Sequence, residues 1–257
     1  MSISPYHLHR QSKQEVKDQR LKKEIEGTWK DHPGYGHKRL SLHLSVNRKR
    51  VARVMRKFNL KSPRRKTKKF CTKSTKHHTY TNLIKDLVPT RKDQVWVGDV
   101  SYFWFAGRFW YLAAVEDLYT REVLAAQVSK HHDRWLVFSV SKQAVAKAGS
   151  VPDIFHSDQG TEFMALICRF FWEEQSVAIS VSDTGSPWQN GYQESFFGHF
   201  KDDLGRTDRF ETPGEFIAGI YSQIHYYNHD RIHTAIKMPP AQYAKLVSEN
   251  PRHVLGT

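Results

Sequence analysis

Three acidic residues stand where a charge needs a reason. Asp99 interrupts the apolar run Val95-Trp96-Val97-Gly98-Asp99-Val100, where a carboxylate is costly unless it is paired or holds a cation. Asp158 ends the fourth of the expected strands in His156-Ser157-Asp158-Gln159-Gly160, and Glu194 follows in Gln193-Glu194-Ser195-Phe196 after the 35 residues 159–193. Cutting and joining phosphodiesters calls for two hard cations about 3.5–4 Å apart, aligning the attacking oxygen and stabilising the leaving one. Magnesium, or manganese in its place, takes oxygen ligands and keeps several waters, so a few carboxylates from separate elements and a substrate phosphate complete its shell. Any one of these acids alone reads as a cap or a solvated charge. Together they predict a site for two metal ions acting on a nucleic acid.

Other residues of the same types carry less. Asp93, Asp117 and Glu162 read as structural: Asp117 begins a turn and Glu162 opens a helix, where a carboxylate stabilises exposed amides. Cys71 and Cys168 are too far apart in sequence context to suggest a disulfide framework or a four-ligand zinc site. His77 and His78 follow Cys71 in a basic stretch, and no zinc is assigned to them.

The elements that must position the carboxylates begin at Val95. Residues 95–105, 108–115 and 121–128 are rich in β-branched and aromatic residues, with Ala106-Gly107 as a hairpin turn, and predict three antiparallel strands. A helix over about 133–147, a short strand at 153–156, a helix near 161–175 and a strand at 177–181 follow. Beyond a glycine- and proline-containing loop, two helices are expected over roughly 189–204 and 213–227. That order predicts an α/β, ribonuclease-H-like core built on a mixed five-stranded sheet with helices. It sets Asp99 within the first strand, Asp158 at the end of the fourth, and Glu194 on a helix.

The front of the chain has a different character. Residues 1–92 hold 26 of the 40 Lys/Arg but 6 of the 26 Asp/Glu, a balance of +20 within a net +14. Such concentration points to a polyanion partner, since neutralising phosphates releases condensed counterions. Val16, Leu21, Ile25 and Trp29 predict an amphipathic helix, which His32-Pro33-Gly34-Tyr35-Gly36 ends. A short helix over about 37–44 follows, and Asn47 caps a third that runs to Phe58 with Val51, Val54, Met55 and Phe58 on its apolar face. The opposite face includes Arg48, Lys49, Arg50 and Arg53, expected to contact duplex DNA as the last helix of a helix-turn-helix-like module. A basic linker follows, in which Arg64, Arg65, Lys66, Lys68 and Lys69 are further DNA contacts. The expected divisions are a tail over 1–14, the helical module over 15–60, the linker over 61–92, the catalytic core over 93–235 and a C-terminal tail over 236–257.

The placement of Asp99, Asp158 and Glu194, with the 35-residue gap, resembles the D,D(35)E signature of retroviral-type integrases and bacterial insertion-sequence transposases. The chain is most similar to the second-reading-frame product of two-frame insertion sequences, through His32-Pro33-Gly34-Tyr35-Gly36-His37-Lys38-Arg39-Leu40, Val46-Asn47-Arg48-Lys49-Arg50-Val51, and Tyr227-Asn228-His229-Asp230-Arg231-Ile232-His233 before Pro239-Pro240. It departs from the family at Ile232, where proline is common, and at Gln193. The resemblance implies metal binding at Asp99, Asp158 and Glu194, and a DNA contact at Lys201, seven residues on and so close to two helical turns away. Gln189 and Asn190 are either DNA-end contacts or helix-start caps. It further implies terminal inverted repeats and target duplex as substrates, a homo-oligomer, and a first-frame product as partner or fusion.

Two alternatives stay open in the sequence: a nuclease of the same fold acting on RNA–DNA hybrid, and a catalytically silent DNA-binding protein. The basic front module argues against the first and the intact carboxylates against the second. No run of eighteen apolar residues occurs and Met1–Arg20 lacks a secretory pattern, so a bacterial cytoplasmic, nucleoid-associated protein without membrane contact is expected.

Overall fold

The computed structural model describes residues 13–62, 80–182 and 191–250, leaving aside the side chains of 191–194. The chain divides into two compact units, 1–64 and 65–257.

The first unit holds α1 (Lys13–Asp31), α2 (His37–His43) and α3 (Arg48–Lys57). Leu21, Ile25, Tyr35, Leu40, Val51 and Val54 form its buried centre. Asn47 caps α3, its side chain accepting from the Lys49 amide at 2.9 Å. Trp29 donates through its ring nitrogen to the Tyr35 carbonyl at 2.8 Å, and His32 stacks on Tyr35, so the Pro-Gly break is held from both sides. The apolar stripe differs from expectation at one end. Val16 is 54% exposed, whereas Asp18 is wholly buried. Arg53 donates to both Asp18 oxygens at 2.8 and 2.6 Å, and Lys57 adds a third bond. A bidentate guanidinium makes the buried carboxylate tolerable, and Arg53 beside it holds its pKa well below the usual range. Arg53, expected on the DNA-facing side, therefore clamps α3 to α1.

The second unit is a five-stranded sheet in the order β3-β2-β1-β4-β5. β1 (Val95–Phe105), β2 (Arg108–Asp117) and β3 (Val123–Ser129) form an antiparallel meander; β4 (Ile154–Ser157) lies parallel to β1, and β5 (Ala178–Val181) parallel to β4. Ala106 and Gly107 both have positive φ, 49° and 75°, as a tight turn matched to strand twist requires. Period-two alternation splits the sheet's residues between two cores. Trp96, Ala113, Val115 and Phe155 pack with Val137 and Val140 of α4 (Arg134–Ala148) and with Cys168 and Trp172 of α5 (Leu166–Glu173). Phe103, Phe105, Leu112 and Ala114 pack with Phe196 and Phe200 of α6 (Gly191–Leu204) and Phe216 and Ile220 of α7 (Pro213–His229).

Three expectations are corrected. The helix foreseen near 161–175 begins at Leu166, because 161–164 form a turn in which the Phe163 and Met164 amides both donate to the Gly160 carbonyl. The part of the linker over 80–92 is attached to the sheet: the Leu83 amide donates to Ser180 Oγ at 2.8 Å, and Ile84 is buried against Val95, Val97 and Leu118. The tail beyond 235 contains α8 (Pro240–Glu249), whose Tyr243 and Val247 pack with Ile236 and Tyr119.

Candidate active site

Asp99 lies mid-way along β1, and β4 pairs with β1 only as far as Val97↔His156. Carrying that parallel register two residues further sets Asp158, the first residue past β4, level with Asp99. Gly98 makes the approach possible, because a Cβ there would come within 2.6 Å of Phe155 Cζ and 2.9 Å of Phe163 Cε1. Gly98→Ala is expected to cost about 1–3 kcal/mol through this overpacking. Thermal melting checks it, and an unchanged melting temperature would mean the two rings can move aside.

Each carboxylate has one local amide donor: Val100 N to Asp99 Oδ1 at 2.8 Å, and Gly160 N to Asp158 Oδ1 at 2.9 Å. Neither is neutralised by that. Burial, then the nearby Asp158, pushes the Asp99 carboxyl up to about 8, while Lys201 pulls the other way and Glu162 adds to the rise. Burial likewise raises Asp158, against the Gly160 amide and His132. Two like charges in a poorly solvated place favour protons or a cation.

Glu162 belongs to this neighbourhood. It opens no helix, the structural role expected for it; its Oε1 pairs with His132 Nε2 at 2.7 Å. Burial raises its pKa, but the His132 hydrogen bond and charge outweigh that and the net shift is downward; His132 is raised in turn, by the same bond first. The spacing Asp158-x-Gly160-x-Glu162 carried a trace of this in the sequence. His132, thirty residues earlier, carried none.

The backbone of Glu194 lies in the first turn of α6, and its side chain is outside the described part. Lys201, on the same helix, sets its ammonium 5.1 Å from the ring centres of both Tyr102 and Phe103. Arg48, Lys49 and Arg50 are exposed on α3. Gln189, Asn190, Arg64, Arg65, Lys66, Lys68, Lys69, Cys71, His77 and His78 lie outside the described residues. Asp117 accepts from the Tyr119, Thr120 and Asp93 amides, and Asp93 from the Trp96 ring nitrogen and Ser150. Cys168 is buried, its thiol pushed up to about 11 by burial. Among the described residues no group of three or more His, Cys, Asp or Glu is arranged to hold a metal; Asp99 and Asp158 offer two oxygen-donor side chains.

Residues 89–187 and 175–240 match integrase core domain families, and residues 16–68 an HTH-like domain. A transposase-like protein of Haemophilus influenzae is 30% identical over 202 residues, covering 78% of this chain and 94% of its own. The transposase for insertion sequence element IS904 of Lactococcus lactis is 30% identical over 241 residues, covering 89% and 95%. This chain belongs to the insertion-sequence transposases. The fold of the transposase is also that of retroviral integrases. The HTLV-2 integrase catalytic core, solved in complex with magnesium, is 18% identical with a TM-score of 0.50, covering 59% of this chain and 96% of its own. A chain of the simian T-cell lymphotropic virus intasome is 14% identical with a TM-score of 0.54, covering 87% and 74%.

In the transposase the segment Tyr227 to His233, which carries part of the family resemblance, is architectural. Asn228 Oδ1 accepts from the Val123 amide and its Nδ2 donates to the Val123 carbonyl, both at 2.9 Å, mending the start of β3. Arg231, 2% exposed, pairs with the equally enclosed Asp203 of α6.

Proposed function

We propose that this transposase cuts DNA at the ends of its element and joins them to a target, with Asp99, Asp158 and Glu194 as the carboxylates that hold divalent metal. The observation that carries this reading is the pair Asp99 and Asp158, level with one another where β4 leaves β1, both pushed upward first by burial despite Lys201 near the one and His132 near the other. An all-carboxylate oxygen set suits magnesium or manganese, and magnesium accompanies the HTLV-2 core. Metal held there would supply charge neutralisation at the phosphate and activation of an attacking oxygen, chemistry that serves cutting and joining alike.

The chain's own residues hold and orient. Asp99 holds its oxygens from the middle of β1 and Asp158 from the end of β4, and Glu194 brings the third carboxylate from α6. Lys201, in electrostatic contact with Asp99, steadies a phosphate of the DNA end, with Gln189 and Asn190 ahead of it. Arg48, Lys49 and Arg50 meet duplex from α3, and Arg64, Arg65, Lys66, Lys68 and Lys69 add phosphate contacts. Bringing two element ends together asks for at least a dimer, and a first-frame product is the expected further partner. The protein works on the bacterial chromosome in the cytoplasm; no described helix is long and apolar enough to cross a membrane.

The test is cleavage by the full chain of a terminal-repeat duplex against an RNA–DNA hybrid of the same sequence, with and without Mg²⁺. Metal-dependent nicking of the duplex is expected. Cleavage of the hybrid alone would overturn the reading in favour of a hybrid nuclease. Lys201→Ala should weaken end cleavage by about 10- to 100-fold, the worth of a hydrogen bond to a charged group, with the fold intact by circular dichroism. Unaltered cleavage by that variant would remove Lys201 from the DNA contact.

A further inference from the structure

The outer half of the β1–β2 hairpin is aromatic on both faces, and helices cover only one of them. Phe103, Phe105 and Trp110 are buried with residues of α6 and α7. On the other face the cross-strand pairs are Tyr102↔Tyr111 and Trp104↔Phe109. Tyr102 is 37% exposed, Phe109 45% and Trp104 57%. The three rings form one tier, with Trp104 and Phe109 centred 4.8 Å apart and Tyr102 and Phe109 5.6 Å apart. Contiguous exposed aromatic surface is unfavourable in water and marks a binding surface.

Its position says for what. β4 stops short, so beyond Asp99 one edge of β1 has no strand beside it, and its far end is closed by Thr207 Oγ1 donating to the Trp104 carbonyl at 2.9 Å. The tier begins three residues along β1 from Asp99, whose own side chain, by the strand's alternation, belongs to the opposite face with Phe103 and Phe105. Its inner end is tied to the carboxylates through Tyr111, which stacks on His132 at 4.9 Å, and His132 holds Glu162. Lys201 approaches Tyr102 at 5.1 Å. Between residues 100 and 115 the sole charged side chain is Arg108, so the hairpin itself carries no charge that repels a phosphate. Rings flush with a strand cannot enter a paired duplex, but they can take unpaired bases on their faces while cations hold the backbone.

We propose that Tyr102, Trp104 and Phe109 form a stacking platform for unpaired nucleotides of the DNA strand next to the cleaved phosphate. The proposal rests on the DNA-cutting reading of Asp99 and Asp158, but its test reads binding without cleavage. The full chain, in EDTA and at high salt to suppress phosphate contacts, is titrated onto a blunt duplex and onto the same duplex with a five-nucleotide single-stranded overhang containing 2-aminopurine. Wild type should prefer the overhang and quench its fluorescence. Trp104→Ala and Phe109→Ala should each weaken overhang binding about tenfold or more, leave the blunt duplex unaffected, and lose the quenching, with Trp104→Phe retaining most of both. No overhang preference in wild type, or an equal loss on both DNAs, would overturn the platform whether or not the enzyme cleaves. A switch in sedimentation from dimer to monomer with overhang binding preserved would overturn it too, assigning the face to a second copy of the chain. Absence of metal-dependent cleavage with these binding results intact would count against the catalytic reading alone.

Discussion

Asp99→Asn is expected to abolish metal-dependent strand cleavage while making the metal-free protein more stable at alkaline pH. On the proposed reading the carboxylate helps hold several kcal/mol of transition-state charge stabilisation; at 1.36 kcal/mol per tenfold, the loss is about a thousandfold or more. Stability moves the other way. The Asp99 carboxyl is pushed from 3.8 to about 8 by burial and by Asp158, so between those values the folded protein keeps a proton that the unfolded chain has released. Stability then falls as pH rises through that window, and the deficit is complete above about 8. Asparagine removes the deficit and should raise the metal-free melting temperature by a few degrees at pH 8.5, but not at pH 4. Glu116, also pushed up to about 8 by burial, keeps part of the alkaline slope in the variant. Mg²⁺ should stabilise wild type and have little effect on the variant. Equal metal stabilisation of both proteins would remove Asp99 from the metal site.

How much of this was legible depended on whether the determining contact was local. Asp99 could be singled out because its strand neighbours are apolar and a charge there is expensive, and Asp158 because it closes the fourth strand. The hairpin turn, the Asn47 cap and the order of strands were equally local. Asp18 was hidden, since on a highly charged helix one more acid looks solvated until Arg53, thirty-five residues on, is found bonded to it. The His132–Glu162 pair was hidden for the same reason. The C-terminal helix, left within a tail, did carry a local signal: Pro240 is its first residue, where proline has the right φ and lacks an amide that no partner would need. Tyr243, Ala244 and Val247 behind it have helical spacing and are buried.

The pair Asp203–Arg231 should be the most sensitive point in the catalytic unit outside its carboxylates. Both side chains are almost wholly enclosed, at 4% and 2% exposure, and one Arg231 nitrogen, Nη1, has no hydrogen-bond partner. Desolvation makes such a pair weakly stabilising as a whole, but removing one member strands the other charge in the interior, at about 3–5 kcal/mol. Asp203→Ala should therefore lower the melting temperature by roughly 6–20 °C for a unit of this size. Asp203→Leu with Arg231→Met, which strands no charge, should recover most of that. The pair joins the end of α6 to the segment that follows α7, and α6 carries Glu194 and Lys201. Cleavage by the double variant thus separates two roles. If it is stable but slow, the ion pair fixes the register of α6 against the strands that hold Asp99 and Asp158; if it is stable and fully active, apolar packing of Phe196 and Phe200 alone sets that register. A loss below about 1 kcal/mol in the single variant would mean that Arg231 reaches solvent or another partner, and that α6 is held by its aromatic face alone.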